Sequence, residues 1–197
     1  IQDFASLKNT MIDSDENGYG TELKSILETI ENQKIIDQIA LKNRFWEMFI
    51  VDALIGNMDR HNGNWGFLYN TLNDEVSIAP VYDCGSSLYP QADDIVKQKV
   101  LNDLNELEVR VYEFPLSAIL YQGKKINYFD FIQSNINVDC TNALMKLHPK
   151  INIEEINLLI DDIECLSDLE KTFYKTIIKE RKERILDYSV NKLKERT

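Results

Sequence analysis

Apolar positions recur at helical spacing along most of the chain and shift to alternation in two places. Leu23, Ile26, Leu27 and Ile30 repeat at three and four residues, which predicts a helix opening at Thr21. Lys24 stands where a capping box would place an acid. A longer helix is predicted from Gln33 to Leu54, with Ile35, Ile36, Ile39, Ala40, Phe45, Trp46, Phe49 and Ala53 on its apolar side. Aromatics at that spacing belong far more often to a core than to a stacking platform. Gly56 follows in the place of a C-terminal cap. Alternation then takes over. Trp65 to Tyr69 and Glu75 to Ala79 read as strands joined by a turn at Asn70 to Asp74, and Pro80 stops the second.

Helical spacing returns over Gln91 to Leu107, through Ile95, Val96, Val100, Leu101 and Leu104. Ser117 to Tyr121 and Lys125 to Asn127 suggest a second short hairpin, with Lys124 and Lys125 as solvated turn residues rather than phosphate contacts. Short helices follow at Tyr128 to Ser134 and Thr141 to Leu147, the latter capped by Asp139 and ended by His148-Pro149. From Asn152 the rest reads as helix. Ile153, Ile156, Leu159 and Ile160 form one face; Leu169, Phe173, Ile177, Ile178, Ile185, Leu186 and Val190 form another. The run Lys179 to Arg184 mixes acids with bases and reads as a charged face. Ile1 to Leu7 is a short mixed segment in which Asp3 or Ser6 can cap a turn, and Lys8 to Tyr19 is polar and reads as a loop. The fold class expected is mainly α with a small β-hairpin.

The chemistry concentrates between Phe49 and Tyr89. The long helix delivers a polar loop, Asn57, Asp59, Arg60, His61 and Asn64, and the first hairpin leads from it to Asp83. Asn64 and Asp83 are nineteen residues apart, yet the hairpin brings them to the same end. Asp59, Asn64 and Asp83 all offer side-chain oxygens. A hard cation such as magnesium takes few protein oxygens when phosphates supply the others. A carboxylate not engaged by metal can handle the proton of an attacking hydroxyl. His61 taken alone is more often an orienting residue than a general base. A loop acid, an amide five residues on and a second acid beyond a hairpin is the layout of a phosphoryl-transfer site.

The strings Ile55-Gly56-Asn57-Met58-Asp59-Arg60-His61-Asn62-Gly63-Asn64 and Ala79-Pro80-Val81-Tyr82-Asp83 closely resemble the catalytic and metal loops of the HipA-type bacterial serine/threonine kinases. The Asp-Arg-His order is also that of phosphoinositide kinases. Cys84-Gly85-Ser86-Ser87-Leu88-Tyr89 is similar to the CtkA-like branch of the HipA family. Where many members carry a lysine before the loop asparagine, this chain has Gly63. The resemblance implies a protein-kinase-like C-terminal lobe spanning residues 1–197, as part of a longer two-lobe kinase. It implies ATP-dependent transfer to a Ser/Thr hydroxyl of a protein. Asp59 and His61 would be catalytic, Asn57, Arg60 and Asn64 would contact ATP, and Asn64 and Asp83 would hold Mg2+. It also names an antitoxin-type protein as a candidate partner and the bacterial cytoplasm as the location. The glycine loop and phosphate-pairing lysine of a kinase's other lobe occur nowhere in the sequence, so the chain alone is expected to be inactive. The alternatives are a catalytically silent interaction module of the same shape and a lipid or small-molecule kinase.

Composition narrows this further. A net charge of −11 would repel nucleic-acid phosphates, so no direct nucleic-acid partner is expected. No apolar run is long enough for a membrane span, and no signal peptide is evident at Ile1. Cys84, Cys140 and Cys165 are odd in number and far apart, which fits a reducing cytosol rather than a disulfide or zinc framework.

Overall fold

The computed structural model describes residues 1–11 and 17–195. Among them are ten α-helices, a three-stranded antiparallel sheet and a two-stranded hairpin, so the mainly helical class holds. The chain begins on the sheet. Strand β1 (Gln2–Asp3) pairs with β2 (Gly66–Asn70), which pairs with β3 (Glu75–Ile78), in the registers Gln2↔Phe67 and Phe67↔Ile78. Gly66 admits β1, because a Cβ there would lie 2.2 Å from the Gln2 carbonyl oxygen. Asp3 accepts from the Ser6 N–H at 2.7 Å and starts helix α1 (Phe4–Met11). Lys8 to Met11 is therefore helix where a loop was expected. Phe4 and Leu7 turn inward, and Phe4 stacks on Trp65 with ring centroids 4.1 Å apart. The remainder of that expected loop includes residues 12–16, outside the described residues; Asn17 to Gly20 form a turn and coil.

Helix α2 (Leu23–Asn32) starts two residues later than the pattern suggests. Thr21 donates its hydroxyl to the Ala118 carbonyl at 2.8 Å instead of capping. The Glu22 carboxylate accepts from the Gln122 and Gly123 N–H groups at 2.9 and 3.1 Å. It thereby fixes the turn of the second hairpin, β4 (Leu120–Tyr121) with β5 (Lys124–Lys125), on which both lysines are exposed as expected. Helix α3 (Gln38–Ile55) starts five residues after Gln33, at an Asp37 cap that accepts from Ala40 N–H at 2.6 Å. The Gln33 amide oxygen accepts from the Ile35 and Ile36 N–H groups, which ends α2 before α3 begins. Ile35 and Ile39 thus fall off the buried stripe, Ile39 being 68% exposed, while Phe45, Trp46, Phe49 and Ala53 are buried.

After the sheet come α4 (Asp94–Asn102) and α5 (Leu104–Glu108), separated at Asp103, and a π-helical turn at Val109–Glu113. Ile95 and Leu104 face outward, and Val100 carries the packing. Helix α6 (Tyr128–Ser134) sets Phe131 and Tyr128 against Phe49. Helix α7 (Val138–Leu147) packs along α3 and starts earlier than expected. Its cap is Asn137, accepting from Cys140 N–H at 2.9 Å; Asp139 instead pairs with Lys42 at 3.3 Å. The final helical stretch is broken. Helix α8 (Ile153–Asp161) leaves Leu159 exposed, and α9 (Asp168–Arg181) restarts at a Ser167–Glu170 capping box. A π-helical segment, Lys182–Asp187, leads into α10 (Tyr188–Lys194). No helix among the described residues is long and apolar enough to cross a membrane. Among the described residues all three cysteines are free, with Cys140 buried.

Candidate active site

Helix α3 ends where the site begins. Gly56 takes φ 63° and ψ 41°, a left-handed cap that turns the chain out of the helix. One turn earlier sits Asp52, 1% exposed in an otherwise apolar stretch. An anion at a helix C-terminus is unfavourable and a buried anion more so, so it needs partners. Arg60 supplies them as a fork: Nε donates to Asp52 Oδ2 at 3.0 Å and Nη2 to Oδ1 at 3.1 Å. The Asn57 amide adds a third donor at 2.9 Å. Burial pushes the Asp52 carboxyl pKa up, against the pull of Arg60 and Asn57. On Arg60 burial acts downward, but the Asp52 hydrogen bonds and charge outweigh it and raise the pKa. The two-point geometry is that of an ion pair, with both groups charged.

The remaining Arg60 nitrogen ties two chain segments together. Nη1 donates to the Asn64 carbonyl at 2.6 Å and to the Tyr82 carbonyl at 2.5 Å. Nη2 also approaches Cys84 Sγ at 3.3 Å. The loop and the coil after β3 that carries Asp83 are thus clamped by one side chain, and the Tyr82 hydroxyl donates to Gly63 O at 3.3 Å. Arg60, expected against ATP, is placed inside, 2% exposed and fully engaged. Asn57, also expected there, is wholly buried; its amide oxygen accepts from Asp59 N–H at 3.2 Å, and Tyr128 Oη donates to its carbonyl at 2.7 Å. Both act as they stand on the shape of the loop.

Of the other expected residues, Asp59 and Asp83 lie on its outer side, His61 is half-buried and Asn64 is buried. Asn64 donates its amide to the Asp59 carbonyl at 2.7 Å, and its Oδ1 has no hydrogen-bond partner among the described residues. The Asp83 carboxylate is exposed and has no hydrogen bond or ion pair among the described residues. Asp83 holds φ 54°, a left-handed conformation that aspartate tolerates better than most residues. The Asp59 carboxylate is exposed, its nearest charged neighbour being His61 Nε2 at 4.0 Å. His61 Nδ1 accepts from Gly63 N–H at 3.0 Å, so a neutral ring carries its proton on Nε2, facing Asp59. A Cβ on Gly63 would meet His61 Cε1 at 3.0 Å and Tyr19 Cε1 at 2.9 Å, so no larger residue fits there undisturbed. No cluster of three His, Cys, Asp or Glu side chains converges among the described residues. Two protein oxygens, from Asn64 and Asp83, fit the hard, low-count donor set that Mg2+ accepts beside phosphates.

Sequence patterning missed Asp52, and the signal was a lone charge inside an apolar helix. It also missed Arg181, read as part of a charged face. That residue falls on the stripe Phe173, Ile177, Arg181, Ile185 and is 1% exposed. Its Nε donates to Ala53 O at 2.7 Å and Nη1 to Arg110 O at 2.5 Å, beneath the loop.

Comparison with known proteins accords with this geometry. The chain is 48% identical over 188 residues to serine/threonine-protein kinase CtkA of Helicobacter pylori strain J99, covering 95% of this chain and 58% of that protein. It therefore spans a little over half of that relative's length. The crystal structure of a Helicobacter pylori proinflammatory kinase CtkA superposes with a TM-score of 0.95 at 45% identity, over all of this chain and 72% of that one. Residues 1–145 match the model of the HipA-like C-terminal domain, and the chain belongs to that family.

Proposed function

We propose that this chain carries the catalytic and metal loops of an ATP-dependent kinase that phosphorylates a Ser/Thr hydroxyl of a protein, as one lobe of a longer enzyme. The carrying observation is the Arg60 clamp. It fixes the Asp59 loop against the coil that carries Asp83, while among the described residues the Asp83 carboxylate and the Asn64 amide oxygen have no hydrogen-bond partner and the exposed Asp59 carboxylate meets only His61, at 4.0 Å. Asp59 orients the acceptor hydroxyl and takes its proton. Asn64 Oδ1 and Asp83 would hold Mg2+, which would bridge and neutralise ATP phosphates. His61 acts as a positioning residue for Asp59. Arg60 and Asn57 shape the loop and do not grip nucleotide.

The name of its relative and the family resemblance support the kinase reading. By the same resemblance we propose an antitoxin-type protein partner and a cytoplasmic location. In a full-length protein carrying this chain, Asp59→Ala and Asp83→Ala should each abolish transfer of radiolabelled phosphate from ATP, with the far-ultraviolet circular dichroism spectrum unchanged. Full turnover in Asp83→Ala would refute the metal assignment; absence of transfer from the unmutated protein would favour a silent module. The 197-residue chain alone should bind Mg-ATP with a Kd of ~1 mM or weaker, about −4 kcal/mol or less favourable, read by calorimetry.

A further inference from the structure

Met58 stands between the buried Asn57 and the exposed Asp59, and it lines a hollow of about 190 Å3. Tyr89, Ala92, Val96, Phe114 and Phe173 form most of the other walls. An apolar cavity of roughly 150 Å3 holds a benzene ring, and cofactor or drug sites begin near ~300 Å3. The hollow therefore suits one aliphatic or aromatic side chain and is too small for a nucleotide. Arg110 also reaches its rim, but its Nη1 is paired with Glu106 at 3.0 Å, so among the described residues the lining offers an acidic ligand no cation without a carboxylate partner.

The back wall is held under strain. Leu88 and Tyr89 adopt φ 56° and 58°, two successive non-glycine residues in the left-handed region. What over-determines them is visible. Leu88 N–H donates to Ile55 O at 2.9 Å, at the end of α3. The single Tyr89 Oη proton is shared between Arg110 O at 2.5 Å and Phe114 O at 2.8 Å. The first of these acceptors lies in the π-helical turn, where the main chain departs from α-helical pairing, and Arg181 Nη1 shares it. The Tyr89 ring is thereby fixed, six residues after Asp83, as a wall of a hollow that is also lined by Met58, the residue before Asp59.

We infer that this hollow seats an apolar side chain of the acceptor polypeptide, close in sequence to the hydroxyl that Asp59 receives. The inference rests on the phosphoryl-transfer reading and gives it a substrate preference. Consecutive Cα atoms are about 3.8 Å apart, so a residue seated against Met58 lies within a few positions of the one at Asp59.

The chain has four methionines, Met11, Met48, Met58 and Met145, so methyl-13C-methionine labelling gives a small, assignable spectrum. The probes are nine-residue peptides with a central serine among glycines, and the same peptide with one leucine or one aspartate walked through the flanks. The Met58 methyl resonance should move saturably with leucine at one or two positions, while Met145 stays still and the glycine and aspartate peptides do nothing. Ala92→Trp, which fills the hollow, should remove the shift. Val96→Phe does the same from another wall if Ala92→Trp does not fold. No Met58 shift with any leucine peptide at millimolar concentration overturns the inference, as does an equal shift with aspartate. In a full-length protein carrying the chain, leucine at the same position should raise kcat/KM about tenfold over glycine, and the ratio should fall towards one in Ala92→Trp. Phosphorylation with no leucine preference overturns this inference alone. A Met58 shift without phosphorylation of any peptide overturns the kinase reading and leaves the hollow a binding site.

Discussion

Two arginines are shut away from water on either side of the Asn57 loop, and they are held by opposite means. Arg60 faces a carboxylate, Asp52, in a two-point fork, and its pKa is raised despite burial. Arg181 faces no carboxylate among the described residues: it donates to the carbonyl oxygens of Ala53, Arg110 and Val111 and also meets the Tyr89 hydroxyl, with the Tyr128 ring 5.9 Å from its guanidinium carbon. Its Nη2 has no hydrogen-bond partner among the described residues, and burial lowers its pKa. The first region is charge-balanced and each member depends on the other. The second spreads one cation over dipoles at the C-terminal end of α3, where a positive charge is welcome, and over a π-helical turn. Removing the anion from the first region strands a buried charge. Removing the cation from the second strands only carbonyls.

The largest effect should therefore come from Asp52→Ala. Urea unfolding should show a loss of about 3–5 kcal/mol, because Arg60 is left charged and unpaired. The double replacement Asp52→Leu with Arg60→Met should cost less than the single change. Arg181→Met should cost about 1–2 kcal/mol, since the exposed carbonyl deficit is partly offset by the desolvation no longer incurred. If Arg181→Met proves the worse of the two, the contrast is wrong. A smaller effect lies at the start of α9, the helix that bears Arg181. Backbone and hydroxyl donation from Ser167 and the Lys97 ammonium hold the Glu170 carboxyl down from 4.5 to about 2. Its contribution is present above pH 4.5 and lost as pH falls towards 2. Glu170→Gln should flatten the acid limb of the stability profile in that window. The smallest effect belongs to the outer loop. Asp59→Asn should change stability by no more than about 0.5 kcal/mol while eliminating phosphate transfer.

What the sequence made legible follows the same divide. The Gly56 cap and the hairpin could be read because each rests on local chemistry: a left-handed residue and an alternation of two. The Asp52–Arg60 fork depends on a bend in the chain that no period reveals; the motif sets Arg60 beside the nucleotide, and the fold buries it against Asp52. Helix α1 was hidden because it is eight residues long and takes its support from Trp65, more than fifty positions away. Asn137 and Asp139 are both able to cap, and only the position where α7 starts chooses between them. Arg181 shows how a charge run can carry one inward member when the helical stripe passes through it.

The seam between the first residues and the loop has a mechanical consequence. Beside the β1–β2 pairing, Phe4 N–H donates to Trp65 O and Ala5 N–H to Asn62 O, both at 2.9 Å. Gly66, lacking a side chain, lets the two backbones lie this close. A tension applied at Ile1 is therefore borne first by the peptide groups of Asn62, Trp65 and Gly66, not by the helical interior. These lie within the same short stretch as Asn64. The start of the chain works as a tether on the loop, and displacing it moves the oxygens that the proposed chemistry needs before it disturbs the core.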